Sequence, residues 1–303
     1  MKSENNNKMN ISVVIPTKNR QELLLPLVRN VLDQDMVPNE IIIVDQTKTS
    51  IDLNLVTNIK GNNKYVCSVY YIHNPYLSGV TAARNVGAHL ARGNIIIFLE
   101  DDIYIYKDFI RQISDTYQKY PEVGGVSCIQ VQESRRSALG IILFSFFHRG
   151  PFKEEKRYID KYWYLFKKPV FGVRLLCGVT SYRREIFERY KFDENLIGYG
   201  LGNDFDFSYR CSKEFLLAIN PKVRAIHYKN SRKERSTKVF YEDKVYFNFY
   251  FYKKNVDKNI QNLFFFLLSQ FSVILESILG SLQVKSNMPF KTTITSYWKA
   301  LMG

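Results

Sequence analysis

Four short apolar runs dominate the N-terminal third of the chain: "ISVVIPT" (11–17), "EIIIVDQT" (40–47), "YVCSVYYI" (65–72) and "NIIIFLED" (94–101). Three of them are nearly continuous and rich in β-branched residues. A strand with one wet face alternates apolar and polar side chains, so continuous runs need cover on both faces, as in a parallel sheet. Between the first two, "QELLLPLVRNVLDQ" places Leu24, Leu27, Val28, Val31 and Leu32 on one helical face, with Pro26 in the first turn or two. Between the third and fourth, "SGVTAARNVGAHLARG" predicts a helix closed by Gly93. This alternation predicts an open α/β sheet with flanking helices.

Ligands of such sheets bind beyond the carboxyl ends of the strands. Glu100, Asp101 and Asp102 end the fourth run, and Asp45 ends the second. Carboxylates this close repel one another unless a proton or cation lies between them. With hard oxygen donors and no nearby cysteine, Mg²⁺ or Mn²⁺ is the matching cation. The same residues could instead cap a helix starting near Lys107, or form a solvated turn; the local sequence leaves both open.

Beyond residue 125 the alternation is lost. The stretch from 144 to 169, "FSFFHRGPFKEEKRYIDKYWYLFKKP", mixes aromatic and basic residues with little periodicity and reads as a long loop beside the site. Order returns with a glycine-rich turn, Gly198 to Gly202, ahead of Asp204, Asp206 and an expected helix. The glycines of "GYGLGN" lack the GxGxxG spacing and do not occupy the first βα turn, which disfavours a nicotinamide enzyme.

The segments "VVIPTKNR", "EIIIVDQT", "NPYLSGVTAARNVGAHLARGNIIIFLEDD", "GVTSYRREIF", "FDENLIGYGLGNDFDFSYR" and "AIHY" occur in an order and spacing that resembles the family 2 glycosyltransferases, over about residues 10 to 230. The resemblance implies the GT-A fold, a nucleotide-sugar donor and an inverting transfer with no covalent enzyme intermediate. It implies that Asp45 contacts the base of the donor, that Asp101 lies near the ribose or diphosphate, and that Asp102 binds the metal. Thr17 and Arg20 would line the nucleotide pocket, with Arg84 supporting it. Asp204 would be the base that deprotonates the acceptor hydroxyl, although Asn203 stands where the family often has Glu. An N-cap is the competing role for Asp204, and a cap or structural partner the role for Asp206. His227 matches a histidine that can approach the metal or diphosphate; a satisfied structural histidine is its alternative.

These matches divide the chain into a disordered leader (1–10), a GT-A domain (11–235) with an acceptor-side loop at 144–169, and a helical extension (236–303). In that loop Tyr162, Trp163 and Tyr164 could stack on sugar rings. In the extension, "LFFFLLSQFSVILESILGSL" (263–282) has the length of a membrane span, yet Ser269, Gln270, Ser272, Glu276, Ser277 and Ser281 make a polar stripe opposite Phe271, Ile274, Leu275, Ile278 and Leu282. Lysines bracket it: Lys253, Lys254 and Lys258 before, Lys285, Lys291 and Lys299 after. Such a helix can lie in an anionic membrane interface beside a lipid-linked glycan acceptor, or pack on the catalytic domain or a second subunit.

The net charge of +14 at pH 7 calls for an anionic partner. Nucleic acid is disfavoured, because no nucleic-acid-binding signature occurs. Four dispersed cysteines without CxxC spacing and a polar start without a signal-like apolar segment fit the cytoplasm, at the membrane's inner face. Nothing in the sequence fixes an oligomeric state. The resemblance to family 2 glycosyltransferases implies an inverting, metal-dependent glycosyltransferase of surface polysaccharide biosynthesis. The alternative is a non-catalytic GT-A-like protein that binds acidic lipid or nucleic acid through its basic surface.

Overall fold

The computed structural model describes residues 9–51, 67–131, 138–196, 200–228, 237–283 and 285–302; the expected leader and the boundary near 235 lie almost wholly outside them. The apolar runs form strands β1 (Ile11–Thr17), β2 (Glu40–Asp45), β3 (Ser68–His73) and β4 (Ile95–Phe98). All four are parallel, in the spatial order β3-β2-β1-β4.

Period-two geometry explains why the runs are continuous. Ile11, Val13, Ile15, Ile41, Ile43, Ile95 and Ile97 face one core with the helix α1 (Gln21–Leu32), through Leu24, Leu27, Val28 and Val31. Their alternates Val14, Ile42, Val44, Ile96 and Phe98 face a second core with α2 (Gly79–Leu90), through Ala83 and Ala88. Both faces of β1, β2 and β4 are covered, so their interior positions are nearly all apolar, whereas the edge strand β3 is partly exposed. The helix α2 ends at Leu90, three residues before Gly93.

After β4 the chain turns through its acidic residues into β5 (Ile103–Ile105), α3 (Phe109–Lys119) and β6 (Val123–Gln130). The stretch expected as a loop instead folds into α4 (Ala138–Phe147), a short 3₁₀ turn (Gly150–Phe152), α5 (Glu155–Lys161) and a second 3₁₀ turn (Trp163–Leu165). Ile141, Phe144, Phe152 and Ile159 are buried, and that burial stabilises helices too short to show a clear period in sequence. Then come β7 (Val170–Phe171), β8 (Thr180–Arg183), α6 (Ile186–Arg189), α7 (Asn203–Cys211) and β9 (Leu216–His227). They complete a mixed sheet in the order β3-β2-β1-β4-β8-β6-β9-β5, with β7 also on β9.

The C-terminal segment consists of α8 (Thr237–Asn255), α9 (Ile260–Gln283) and α10 (Met288–Met302). It shares a third core with the preceding domain, where Phe247, Phe251, Val256 and Phe266 meet Phe152, Leu175, Leu196 and Tyr209. Asp206, fully buried, ties α8 to α7: it accepts from Lys254 at 2.9 Å, Asn255 at 2.8 Å and Arg210 at 2.7 Å.

Candidate active site

The strand order reverses between β1 and β4, which opens a crevice at their carboxyl ends. Pairing of Val14 with Phe98 carries the Glu100–Asp102 turn across from Thr17. Thr17 Oγ1 donates to Asp101 Oδ2 at 2.8 Å, and Arg20 Nη1 lies 3.1 Å from Asp101 Oδ1 and 3.4 Å from Asp102 Oδ2. Burial raises the Asp101 carboxyl above its ordinary value, against the opposing pull of Thr17 and Arg20.

Antiparallel pairing of β5 with β9 sets Ile103 opposite His227, and the Tyr228 amide donates to the Asp102 carbonyl at 2.7 Å. His227 Nε2 therefore lies 2.9 Å from Asp102 Oδ1 and 3.6 Å from Glu100 Oε2. One ligand atom from each of Glu100, Asp102 and His227 falls within 4.8 Å of the other two. Burial pushes the Glu100 carboxyl up to about 7; His227 acts against that shift, and the Asp204 and Asp102 carboxylates add to it. Two oxygens and an imidazole at this separation fit a divalent cation such as Mg²⁺ or Mn²⁺. Glu100 belonged to the carboxylate cluster expected to gather round a cation, although only Asp102 and His227 were expected as ligands; the turn after β4 brings Glu100 beside them.

Gly202 begins α7 with φ +79°, a conformation a side chain would strain, and thereby serves as the cap residue. Asp204 is not the cap but a first-turn residue whose carboxylate pairs with Arg84. Arg84 projects from α2, is 1% exposed, and donates to Asn203 Oδ1 at 2.5 Å and the Gly178 carbonyl at 3.4 Å. Its Nη2 is 3.8 Å from Glu100 Oε1. Burial disfavours its charge, but Asp204 and Glu100 outweigh that and raise its pKa. One guanidinium thus spans the expected base and the cation site. Gly178 leaves the room, because a Cβ there would stand 2.1 Å from Glu100 Oε1.

These residues line a cleft of about 1580 Å³ between the sheet's carboxyl edge and the C-terminal helices. Small-molecule pockets run to roughly 300–1,000 Å³, so two substrates fit. The family model described as glycosyl transferase family 2 matches residues 12–190, more than half of the chain. The chain belongs to glycosyl transferase family 2.

Similarity to individual relatives supports the same family. The chain is 24% identical over 230 residues to a dolichyl N-acetyl-alpha-D-glucosaminyl phosphate 3-beta-D-2,3-diacetamido-2,3-dideoxy-beta-D-glucuronosyltransferase of Methanococcus voltae, covering 73% of this chain and 67% of that protein. It is 30% identical over 92 residues to a GalNAc(5)-diNAcBac-PP-undecaprenol beta-1,3-glucosyltransferase of Campylobacter jejuni; that match spans 30% of this chain and only 29% of the relative's length. In fold it is similar to a mannosyltransferase of Pyrobaculum calidifontis in complex with GDP-Man and Mn²⁺, with a TM-score of 0.59 at 15% identity, covering 97% of this chain and 87% of the other. The chain is accordingly a transferase with the GT-A fold, which counts against the non-catalytic alternative.

Within this transferase, Thr17, Arg20, Arg84, Asp101, Asp102, Asp204 and His227 all line the cleft. Asp45 does not. It is fully buried, accepting from the Tyr71 hydroxyl at 2.7 Å and the Thr47 amide at 2.8 Å, and its neighbour Gln46 reaches the cleft instead. The three acceptor candidates also lie off the cleft. Tyr162 lines an adjoining groove, Trp163 packs against the second core with Arg224 over its ring, and Tyr164 is exposed.

Proposed function

We propose that this transferase moves a sugar, with inversion, from a nucleotide-sugar donor to a lipid-linked glycan in surface polysaccharide biosynthesis, and that it depends on Mg²⁺ or Mn²⁺. The observation that carries the reading is the juxtaposition in one cleft of Glu100, Asp102 and His227 with Asp204, through the shared Arg84.

Asp102, His227 and Glu100 would hold the cation, which when bound supplies positive charge beside the leaving diphosphate. Thr17 and Arg20 fix Asp101 at the nucleotide side. The donor base is assigned to the end of β2, where Gln46 lines the cleft and Asp45 lies directly behind it. Arg84 grips Oδ1 of Asp204, which leaves Oδ2 to take the proton of the attacking hydroxyl as the new glycosidic bond forms. Attack opposite the leaving group inverts the anomeric carbon.

The lipid-linked acceptor is supported by the specificities for which the relatives are named and by the form of α9. Ser269, Gln270, Ser272 and Ser277 are buried against the protein, whereas Leu263, Phe264, Leu267, Phe271, Ile278 and Leu282 are exposed. The expected polar stripe is present but turned inward. Ile260–Leu282 is long and apolar enough to cross a membrane by length and composition. Its polar face packs on α8 and α10, as when Tyr297 donates to Gln270 Oε1 at 2.9 Å, so it is assigned to the plane of an anionic cytoplasmic membrane surface.

Single-turnover assay of Asp204→Asn tests the reading. Transfer should fall by about 10²–10⁴-fold, while donor binding with Mn²⁺ stays near wild type. Full transfer by this variant would remove Asp204 from the role.

A further inference from the structure

A second concavity lies outside the cleft, between α4 and α5. Its volume is about 520 Å³, and it is lined by Ile141, Ile142, Phe146, Tyr158, Tyr162 and Arg149, with Ser145 at its side. Ile142 is 65% exposed, Phe146 51% and Tyr158 47%, so apolar surface lies open on both the α4 and the α5 wall of the groove. Arg149 is its one cation. Arg149 uses Nε on the Phe146 carbonyl at 3.1 Å and stacks on the Phe146 ring, with its terminal nitrogens left to an anion.

Two continuities give the groove its occupant. On one side, Phe146 meets Phe147 at 5.3 Å between ring centroids, and Phe147 meets Phe271 of α9 at 5.4 Å. The groove therefore opens onto the same exposed apolar stripe that is assigned to the membrane. On the other side, it shares Ile141 with the catalytic cleft. The helix α5 divides the two spaces: Tyr158 and Tyr162, one turn apart, face the groove, while Arg157 and Lys161, also one turn apart, face the cleft.

We propose that this groove seats the lipid of the acceptor. A polyisoprenyl chain lies on Ile142, Phe146 and Tyr158, its phosphate meets Arg149, and the attached sugar passes Ile141 into the cleft. The inference rests on the lipid-linked acceptor proposed above. It adds the site that would hold the lipid, and it explains how the acceptor reaches the cleft with its chain still in the bilayer.

The test is co-sedimentation of the full chain with phosphatidylcholine vesicles carrying a fixed fraction of phosphatidylglycerol, with and without undecaprenyl phosphate. A third set carries an equal charge of phosphatidic acid. Wild type should bind the undecaprenyl phosphate vesicles severalfold better than either other set. Arg149→Gln and, independently, Tyr158→Ser should lose that increment while keeping their binding to phosphatidylglycerol and their thermal midpoint. Binding of wild type to phosphatidylglycerol with no gain from undecaprenyl phosphate, or a gain undiminished in both variants, overturns the groove and leaves membrane docking standing. Absence of wild-type binding to every vesicle set overturns both.

Discussion

Arg84 joins the two halves of the site, and its geometry sets the sharpest single-residue expectations. A lysine would keep the charge but not the fork that reaches Asn203, Asp204 and the Gly178 carbonyl together. Arg84→Lys should lower the transfer rate by about 10²-fold through misplacement of Asp204. Donor affinity should change little, and paired measurements of rate and donor Kd would separate the two effects. Gly178→Ala tests the other half. Its methyl would stand 2.1 Å from Glu100 Oε1 and must displace that carboxylate, so Mn²⁺ affinity should drop about 10-fold, as second-layer changes do, read by spin resonance of free Mn²⁺. At this scale Asp101, Asp102, Asp204 and His227 were legible as cleft residues from their motif positions. The Arg84–Asp204 pair was not, because 120 residues separate its members and no local pattern reports a long-range contact.

Among the elements, β1, β2 and β4 and the helices α1 and α2 could be read because burial on both sheet faces leaves a continuous apolar record, while β3, at the sheet edge, showed a weaker one. The helices α4 and α5 could not. The helix α4 is apolar on nearly every side, and α5 spans only 7 residues, so neither shows one clean face. The periodicity of α9 revealed two faces but not which of them the protein would take. The joint between α8 and the catalytic domain makes a further prediction. Burial would raise the Asp193 carboxyl, but hydrogen bonds from Lys254 and Tyr250 overcome it and lower the pKa from 3.8 to about 2. A depressed carboxylate stabilises the fold above its unfolded value and loses that contribution as pH falls through its folded value. Wild type should therefore have a higher thermal midpoint than Asp193→Asn at pH 5, and the gap should close between about pH 4 and about pH 2. A gap that persists at pH 2 would count against this joint.

The molecule as a whole sets a nucleotide-sugar fold against three helices, with the catalytic cleft between them and an outward apolar stripe beside it. The proposed docking to an anionic surface would draw a long-range component, screened by salt, from the net charge of +14. Vesicle binding should weaken steadily with added NaCl. Phe271→Asp, placed in the centre of the stripe, should weaken it at every salt concentration, with a thermal midpoint lowered only by loss of the Phe147 contact. Composition pointed to an anionic partner, while the surface proposed to meet it depends on how α9 packs.

Glu100, Asp102 and His227 are proposed to hold a cation which ties a nucleotide to this cleft. The most direct measurement is calorimetric titration of the purified chain with UDP, GDP and dTDP, in Mn²⁺ and in EDTA, for wild type and Asp102→Asn. One nucleotide should bind wild type only with Mn²⁺, and Asp102→Asn should abolish this dependence. Binding by no nucleotide, or equal binding by both proteins with and without the metal, would contradict it.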